Sequence, residues 1–261
     1  MQNPFDMQGK VAIVTGGARG VGAGITRCFL DAGADVALIG RTRPETLPAS
    51  GGRASSFFAA DVRDYDQLSA AFEAIMAQHG RIDVLVNNAG GAPAADAATA
   101  SPRFAESIIR LNLLAPLNCA QLANRVMQTQ QGGGTIINIA SVSAIRPSPG
   151  TAAYGAAKAG LVNLTSSLAV EWAPRVRVVA VIAGLVETEQ AHLHYGDAAG
   201  VAAVGRTIPL GRMAVPADIG SACLFLASPF ASYISGTALT VHGGGEAPAF
   251  LAASNAARQE S

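Results

Sequence analysis

The chain has 261 residues, half of them hydrophobic and 14% charged, with a formal net charge of zero. Such a composition supports a sizeable core and excludes a disordered chain, and with no basic block or polybasic amphipathic stretch neither nucleic acid nor a membrane surface is an expected partner. Residues 1–6 do not read as a secretion signal, no apolar run is long enough for a bilayer, and Cys28, Cys119 and Cys223 are widely spaced in apolar helical contexts, so a cytoplasmic protein with buried, reduced thiols is expected.

Residues 10–15 form a short β-branched run that ends in glycines and read as a strand; helical periodicity follows over 21–32 and stops at Gly33. Residues 35–39 and 55–60 are the next strands. Two prolines and two glycines between Arg41 and Gly52 leave room there for one helical turn or none. A helix over 65–78 ends at Gly80, and a strand over 82–86 runs into Asn87-Asn88-Ala89-Gly90. One long helix is expected from near 102 to about 127, then a strand over 135–139 that leads to Ser141. The helix over 152–172 cannot continue through Pro174. A strand over 176–182, a glycine-interrupted helix over 191–206, a helix over 216–227 with proline in its first turn, and a strand over 238–241 complete the set.

This alternation of apolar strands and longer helices predicts an α/β fold, a doubly wound parallel sheet of seven strands with helices on both faces. The elements fill the length without a linker, so the expectation is one domain over 1–261. Within it, about 187–207 would cover the substrate, and about 246–261 would be a loose tail or an arm on a neighbouring subunit.

After the first strand comes Thr15-Gly16-Gly17-Ala18-Arg19-Gly20-Val21-Gly22, opening a helix. Glycines let the backbone turn sharply and approach a phosphate, while the helix N-terminus presents free N–H groups and a positive dipole end. A strand before and a helix after make this a dinucleotide-binding loop. An acidic residue at the end of the second strand would repel a 2′-phosphate; Gly40 stands there, followed by Arg41, and Arg19 is a second candidate partner. The expected cofactor is therefore NADP(H), with NAD(H) the alternative.

Tyr154 and Lys158 are four residues apart, on one face of a helix, and Ser141 lies thirteen residues upstream. A buried ammonium beside a phenol favours the phenolate, so a tyrosine that ordinarily titrates at about 10 would exchange protons nearer neutral pH. Ser141 would hydrogen-bond the oxygen that gains or loses the proton. The trio suits proton transfer at a carbonyl or alcohol.

Taken together, these segments resemble the short-chain dehydrogenase/reductase family, in its single-domain, 3-oxoacyl-reductase-like form with a Rossmann-type sheet. The ordered markers are the glycine loop (Gly16, Arg19, Gly20, Val21, Gly22), Asp61-Val62 after the third strand, Asn88-Ala89-Gly90 after the fourth, Asn112 in the long helix, Ser141, Tyr154, Lys158, and Gly184, Val186 and Thr188 after the sixth strand. The resemblance implies that Tyr154 is the general acid or base and that Lys158 depresses its pKa and bonds the nicotinamide ribose. By the same resemblance Ser141 holds the substrate oxygen, and Asn112 anchors a water in a proton relay, with its backbone as much as its amide. It also implies that Asp61 and Val62 meet the adenine, that Asn88 and Gly90 line the cofactor, and that Thr188 meets the carboxamide. A homotetramer or homodimer formed through the two long helices is implied too. Three departures stand out. Ala183 replaces the usual proline, which predicts a looser loop; His242 replaces the usual acidic residue; and the stretch after Arg41 lacks a helix.

The covering segment contains Gln190, His192, Leu193, His194 and Tyr195, then Ala, Val and Gly, which suggests an apolar substrate body: a 3-oxoacyl thioester, or an alicyclic or steroid-like ketone. His192 and His194 are two residues apart and would point apart on a helix, so no metal site is expected. The alternative to an enzyme is a nucleotide-sensing regulatory protein on the same fold. Such proteins lose a catalytic residue, whereas Asn112, Ser141, Tyr154 and Lys158 are all present.

Overall fold

The structure is a computed structural model that describes residues 3–250. Seven parallel strands form one sheet: β1 (Val11–Thr15), β2 (Asp35–Gly40), β5 (Ser56–Ala59), β6 (Val84–Asn87), β7 (Gly134–Ser141), β8 (Val176–Ala183) and β9 (Ala238–Val241). Their spatial order is β5-β2-β1-β6-β7-β8-β9. The order therefore reverses between β1 and β6, and a crevice opens there at the carboxyl ends of the strands.

Alternation along each strand builds two cores. On one face Ile13, Ile39, Leu85, Ile136 and Val178 pack against α2 (Tyr65–His79), α4 (Ala115–Met127) and α5 (Ala152–Trp172). On the other, Val14, Leu38, Val86, Ile137 and Val181 pack against α1 (Gly20–Asp31) and α8 (Pro216–Ala227). Each such side chain, fully buried, contributes about 1.5–3 kcal/mol. Helices α1 and α8 approach closely because a Cβ on Gly220 would sit 2.9 Å from the Gly24 carbonyl oxygen. Capping agrees with the sequence: Asp64 accepts from the Asp66 and Gln67 N–H groups at 3.1 Å, and Gly80 ends α2 at φ +72°.

Two of the irregular segments agree with expectation and one, the long helix, differs. Between β2 and β5 the chain forms a hairpin, β3 (Ala49–Ser50) with β4 (Arg53–Ala54). Gly51 and Gly52, at φ +59° and +73°, supply the two left-handed positions of its turn. The long helix is broken into α3 (Pro102–Ile109), a π-helical stretch Arg110–Leu114, and α4. Pro116 explains the break: it has no N–H for the carbonyl of Asn112, four residues back, and the Asn112 amide itself donates to the Ile108 carbonyl at 3.0 Å. The glycine-interrupted helix expected over 191–206 is found as α6 (His192–Tyr195) and α7 (Ala198–Gly205), parted at Gly196 with φ +80°.

Among the described residues, no helix is long and apolar enough to cross a membrane. Of the expected tail, residues 251–261 lie outside the described residues.

Candidate active site

A cleft of about 1010 Å³ opens at the carboxyl ends of β1, β2, β6, β7 and β8. Every expected site residue except Asn112 lines it. Residues from eight separate stretches of sequence are thus brought to one surface by the strand order.

At one end lies the glycine loop. Gly16 and Gly20 have φ +63° and +51°, and a Cβ on Gly22 would collide with the Gly16 carbonyl and the Asn88 amide. The loop is tied to the one after β6: Thr15 Oγ1 accepts from the N–H groups of Asn88 and Ala89 at 3.0 Å, and the Asn88 amide donates to the Thr15 carbonyl at 2.9 Å. The first N–H of α1, on Gly20, donates to Oε1 of Glu189 at 2.9 Å. A carboxylate therefore sits where a phosphate oxygen would be received, so this helix end accepts an anion. Sequence reasoning missed Glu189, because the contact spans 169 residues.

Four arginines, Arg19, Arg41, Arg43 and Arg63, line the same end. Only the first two were expected. Arg63 forks onto Asp61, Nη2 to Oδ2 at 2.6 Å and Nε to Oδ1 at 2.9 Å. That hydrogen bonding holds the Asp61 carboxyl below its ordinary value. Arg41 and Arg43 remain exposed.

At the other end α5 carries Tyr154 and Lys158. The Lys158 ammonium lies 5.6 Å from the centre of the Tyr154 ring and donates to the Ile139 carbonyl at 2.8 Å. Burial pushes its pKa down to about 8. Tyr154 departs from expectation: its pKa is raised, not lowered. Burial is the main cause, and the Ser141 hydroxyl beside it works the other way. The lysine's charge is aimed at a backbone carbonyl, and desolvation of the phenolate outweighs it. Ser141 closes β7 and its Oγ accepts from the Ser143 N–H at 3.2 Å. Asn112 is fully buried behind this surface; its amide donates to the Gly91 carbonyl and accepts from the Gly91 N–H, both at 2.9 Å. Its side chain is thus committed to fixing the Gly90-Gly91 backbone.

Backbone hydrogen bonds tie down the loop after β8. Gly184 N–H donates to the Val241 carbonyl and Ala214 N–H to the Leu185 carbonyl, both at 2.9 Å, and Glu187 N–H to the Ala214 carbonyl at 2.8 Å. His242 packs on Gly184, where a Cβ would come within 2.7 Å of its own Cβ. Around Tyr154 the cleft is also lined by polar side chains: Ser143, Arg146, Thr151, Gln190, His194 and Tyr195. Residues of α7 face a separate hollow of about 520 Å³ instead. Among the described residues no His, Cys, Asp or Glu group is arranged to hold a metal ion, and His194 reaches the cleft while His192 does not.

A family model described as enoyl-(acyl carrier protein) reductase matches residues 16–246. The 3alpha-hydroxysteroid dehydrogenase of Mediterraneibacter gnavus is 36% identical over 91% of this chain and 97% of its own. The D-threitol dehydrogenase of Mycolicibacterium smegmatis is 38% identical, over 92% of this chain and 94% of its own. The structure of the Thermoplasma acidophilum aldohexose dehydrogenase superposes with a TM-score of 0.85 at 30% identity, covering 98% of this chain and 99% of that one.

Proposed function

The chain belongs to the short-chain dehydrogenase/reductase family of oxidoreductases, which act on carbonyls and alcohols, and from that premise we propose that it interconverts a carbonyl and a secondary alcohol with NADP(H). The observation that carries the reading is the shared cleft: Tyr154, Ser141 and Lys158 line the surface that also carries the glycine loop. When bound, the nicotinamide would supply hydride to the carbonyl carbon or take it from the alcohol carbon. Tyr154 donates the proton to the oxygen in reduction and removes it in oxidation. Ser141 holds that oxygen in place. Lys158 would hold the nicotinamide ribose, and its lowered pKa keeps it able to release a proton near neutral pH. Asn112, through Gly91, fixes the backbone opposite, and Gly90 leaves room for both. Asp61 and Val62 take the adenine, the α1 N-terminus takes the pyrophosphate, and Thr188 the carboxamide.

The preference for NADP(H) is supported by the absence of a carboxylate at Gly40 and by exposed Arg41 beside Arg19 and Arg43. The expected kcat/KM is higher with NADPH than with NADH. Arg41→Asp lowers the NADPH value by about 10- to 100-fold, the worth of a charge-assisted phosphate contact. Equal or better use of NADH by the unaltered protein contradicts the assignment.

Glu189 competes with the pyrophosphate for the Gly20 N–H. Glu189→Gln removes the competing charge and tightens NADPH binding by about 3- to 10-fold, read by titration of nicotinamide fluorescence. An unchanged or weaker affinity would show that the carboxylate does not guard the site.

The reading takes the chain as one dinucleotide-binding unit in which, of the segment 187–207, Thr188, Gln190, His194 and Tyr195 border an apolar ketone, such as a 3-oxoacyl thioester or an alicyclic or steroid-like ketone. It includes self-association through the outer surfaces of the α3–α4 region and α5, where Leu114 and Val170 are exposed. Light scattering at micromolar concentration would register an assembly larger than one chain.

A further inference from the structure

Among the described residues, the half of the cleft around Tyr154 is lined by two cations, the buried Lys158 and the half-exposed Arg146. Arg146, on the loop between β7 and α5, lines the cleft together with Thr151, Tyr154 and Tyr195. The carboxylates that line the cleft, Glu45 and Asp61, belong to its adenosine end. The guanidinium of Arg146 has a partner from outside the lining: Nη2 donates to Oε1 of Glu246, 100 residues away, at 2.8 Å. Its other terminal nitrogen makes only a long 3.4 Å contact with the adjacent Pro147 carbonyl. Burial raises the pKa of Tyr195, and the charges of Arg146 and Glu246 act on the same phenol in opposite senses.

This arrangement leaves the guanidinium under-used. A carboxylate matches an arginine best through two parallel hydrogen bonds, and Glu246 supplies one strong contact. The two side chains are 39% and 34% exposed. An ion pair so open to water is worth about 1 kcal/mol or less, so another carboxylate can replace Glu246 with little loss.

We propose that Arg146 is a specificity-determining residue that receives the carboxylate of an apolar ketone acid, and that Glu246 holds this position in the free protein. The proposal rests on the reading of Tyr154 as the group acting on a carbonyl in the same cleft. It narrows the substrate class to ketones with an apolar body and one anionic end. A purely structural ion pair makes a different prediction, since breaking it from either side would then have the same effect.

The test is calorimetric titration of the NADP-loaded protein with cyclohexane carboxylates of increasing side-chain length, each paired with its neutral amide. The unaltered protein should favour a carboxylate over its amide by about 10-fold. Arg146→Gln should abolish that preference, and Glu246→Gln should increase it by about 3-fold. No carboxylate preference anywhere in the series, a preference that survives Arg146→Gln, or shifts in the same direction in both variants would overturn the proposal. Failure of every neutral ketone to oxidise NADPH would instead overturn the underlying reading, and the proposal with it.

Discussion

Replacing Tyr154 with phenylalanine lowers kcat/KM for ketone reduction by roughly 10²–10⁴-fold, the usual contribution of a positioned general acid. The half-buried ring keeps its packing and only the hydroxyl is lost, so NADPH affinity stays near that of the unaltered protein. The raised pKa of Tyr154 gives the two directions different pH profiles. Reduction needs the protonated phenol and stays level through neutral pH. Oxidation needs the phenolate to accept the alcohol's proton, so its rate climbs as pH rises into the alkaline range. Steady-state absorbance measurements in both directions check this. Near-normal turnover by Tyr154→Phe would remove the residue from the chemistry.

Lys158→Met yields a protein that turns over poorly yet resists unfolding better than the parent at neutral pH. The folded pKa of about 8 lies below the ordinary 10.5. Between those values the unfolded chain holds a proton that the folded one has lost, so stability rises with pH across that window. Below it, the folded protein carries the full burden of a buried ammonium, on the order of 3 kcal/mol. Losing the 2.8 Å bond to the Ile139 carbonyl offsets about 1–2 kcal/mol of the gain. The net effect is a rise in Tm of a few degrees. Urea unfolding of both proteins near pH 7 and near pH 9 should show the variant's advantage shrinking as pH rises. A constant gap, or a variant less stable at both values, would mean that the lysine is not strained by burial. The protein thus gives up stability to keep this charge beside the phenol, a trade expected at an active site and not in a core.

Much of the architecture was legible because its signals are local. Helix α5 ends where Pro174 forces it to, α8 begins at its first-turn proline, and the apolar runs of β6 to β8 announce a sheet buried on both faces. The glycine loop was readable for the same reason: its strand, turn and helix are contiguous. What escaped was set by distance or by burial. The π-helical break depends on a proline acting on a carbonyl four residues earlier, which a hydrophobic period does not register. Glu189, Arg63 and Glu246 acquire their roles from contacts that only the folded chain makes. The spacing of Tyr154 and Lys158 put them on one face correctly, but it carried no information about desolvation, so the direction of the tyrosine's pKa came out reversed. The apolar composition of residues 198–205 was likewise assigned to the substrate, although that helix borders a different hollow.

The central claim is that Tyr154 protonates a carbonyl oxygen while its carbon is reduced from the nicotinamide held in the same cleft. The most direct measurement uses NADPH carrying deuterium at both C4 positions with a ketone panel, following the alcohol by mass spectrometry. The account predicts one deuterium on the carbinol carbon with the unaltered protein and almost no labelled alcohol with Tyr154→Phe. Alcohol formed without deuterium, or labelled at the parental rate by Tyr154→Phe, would contradict it.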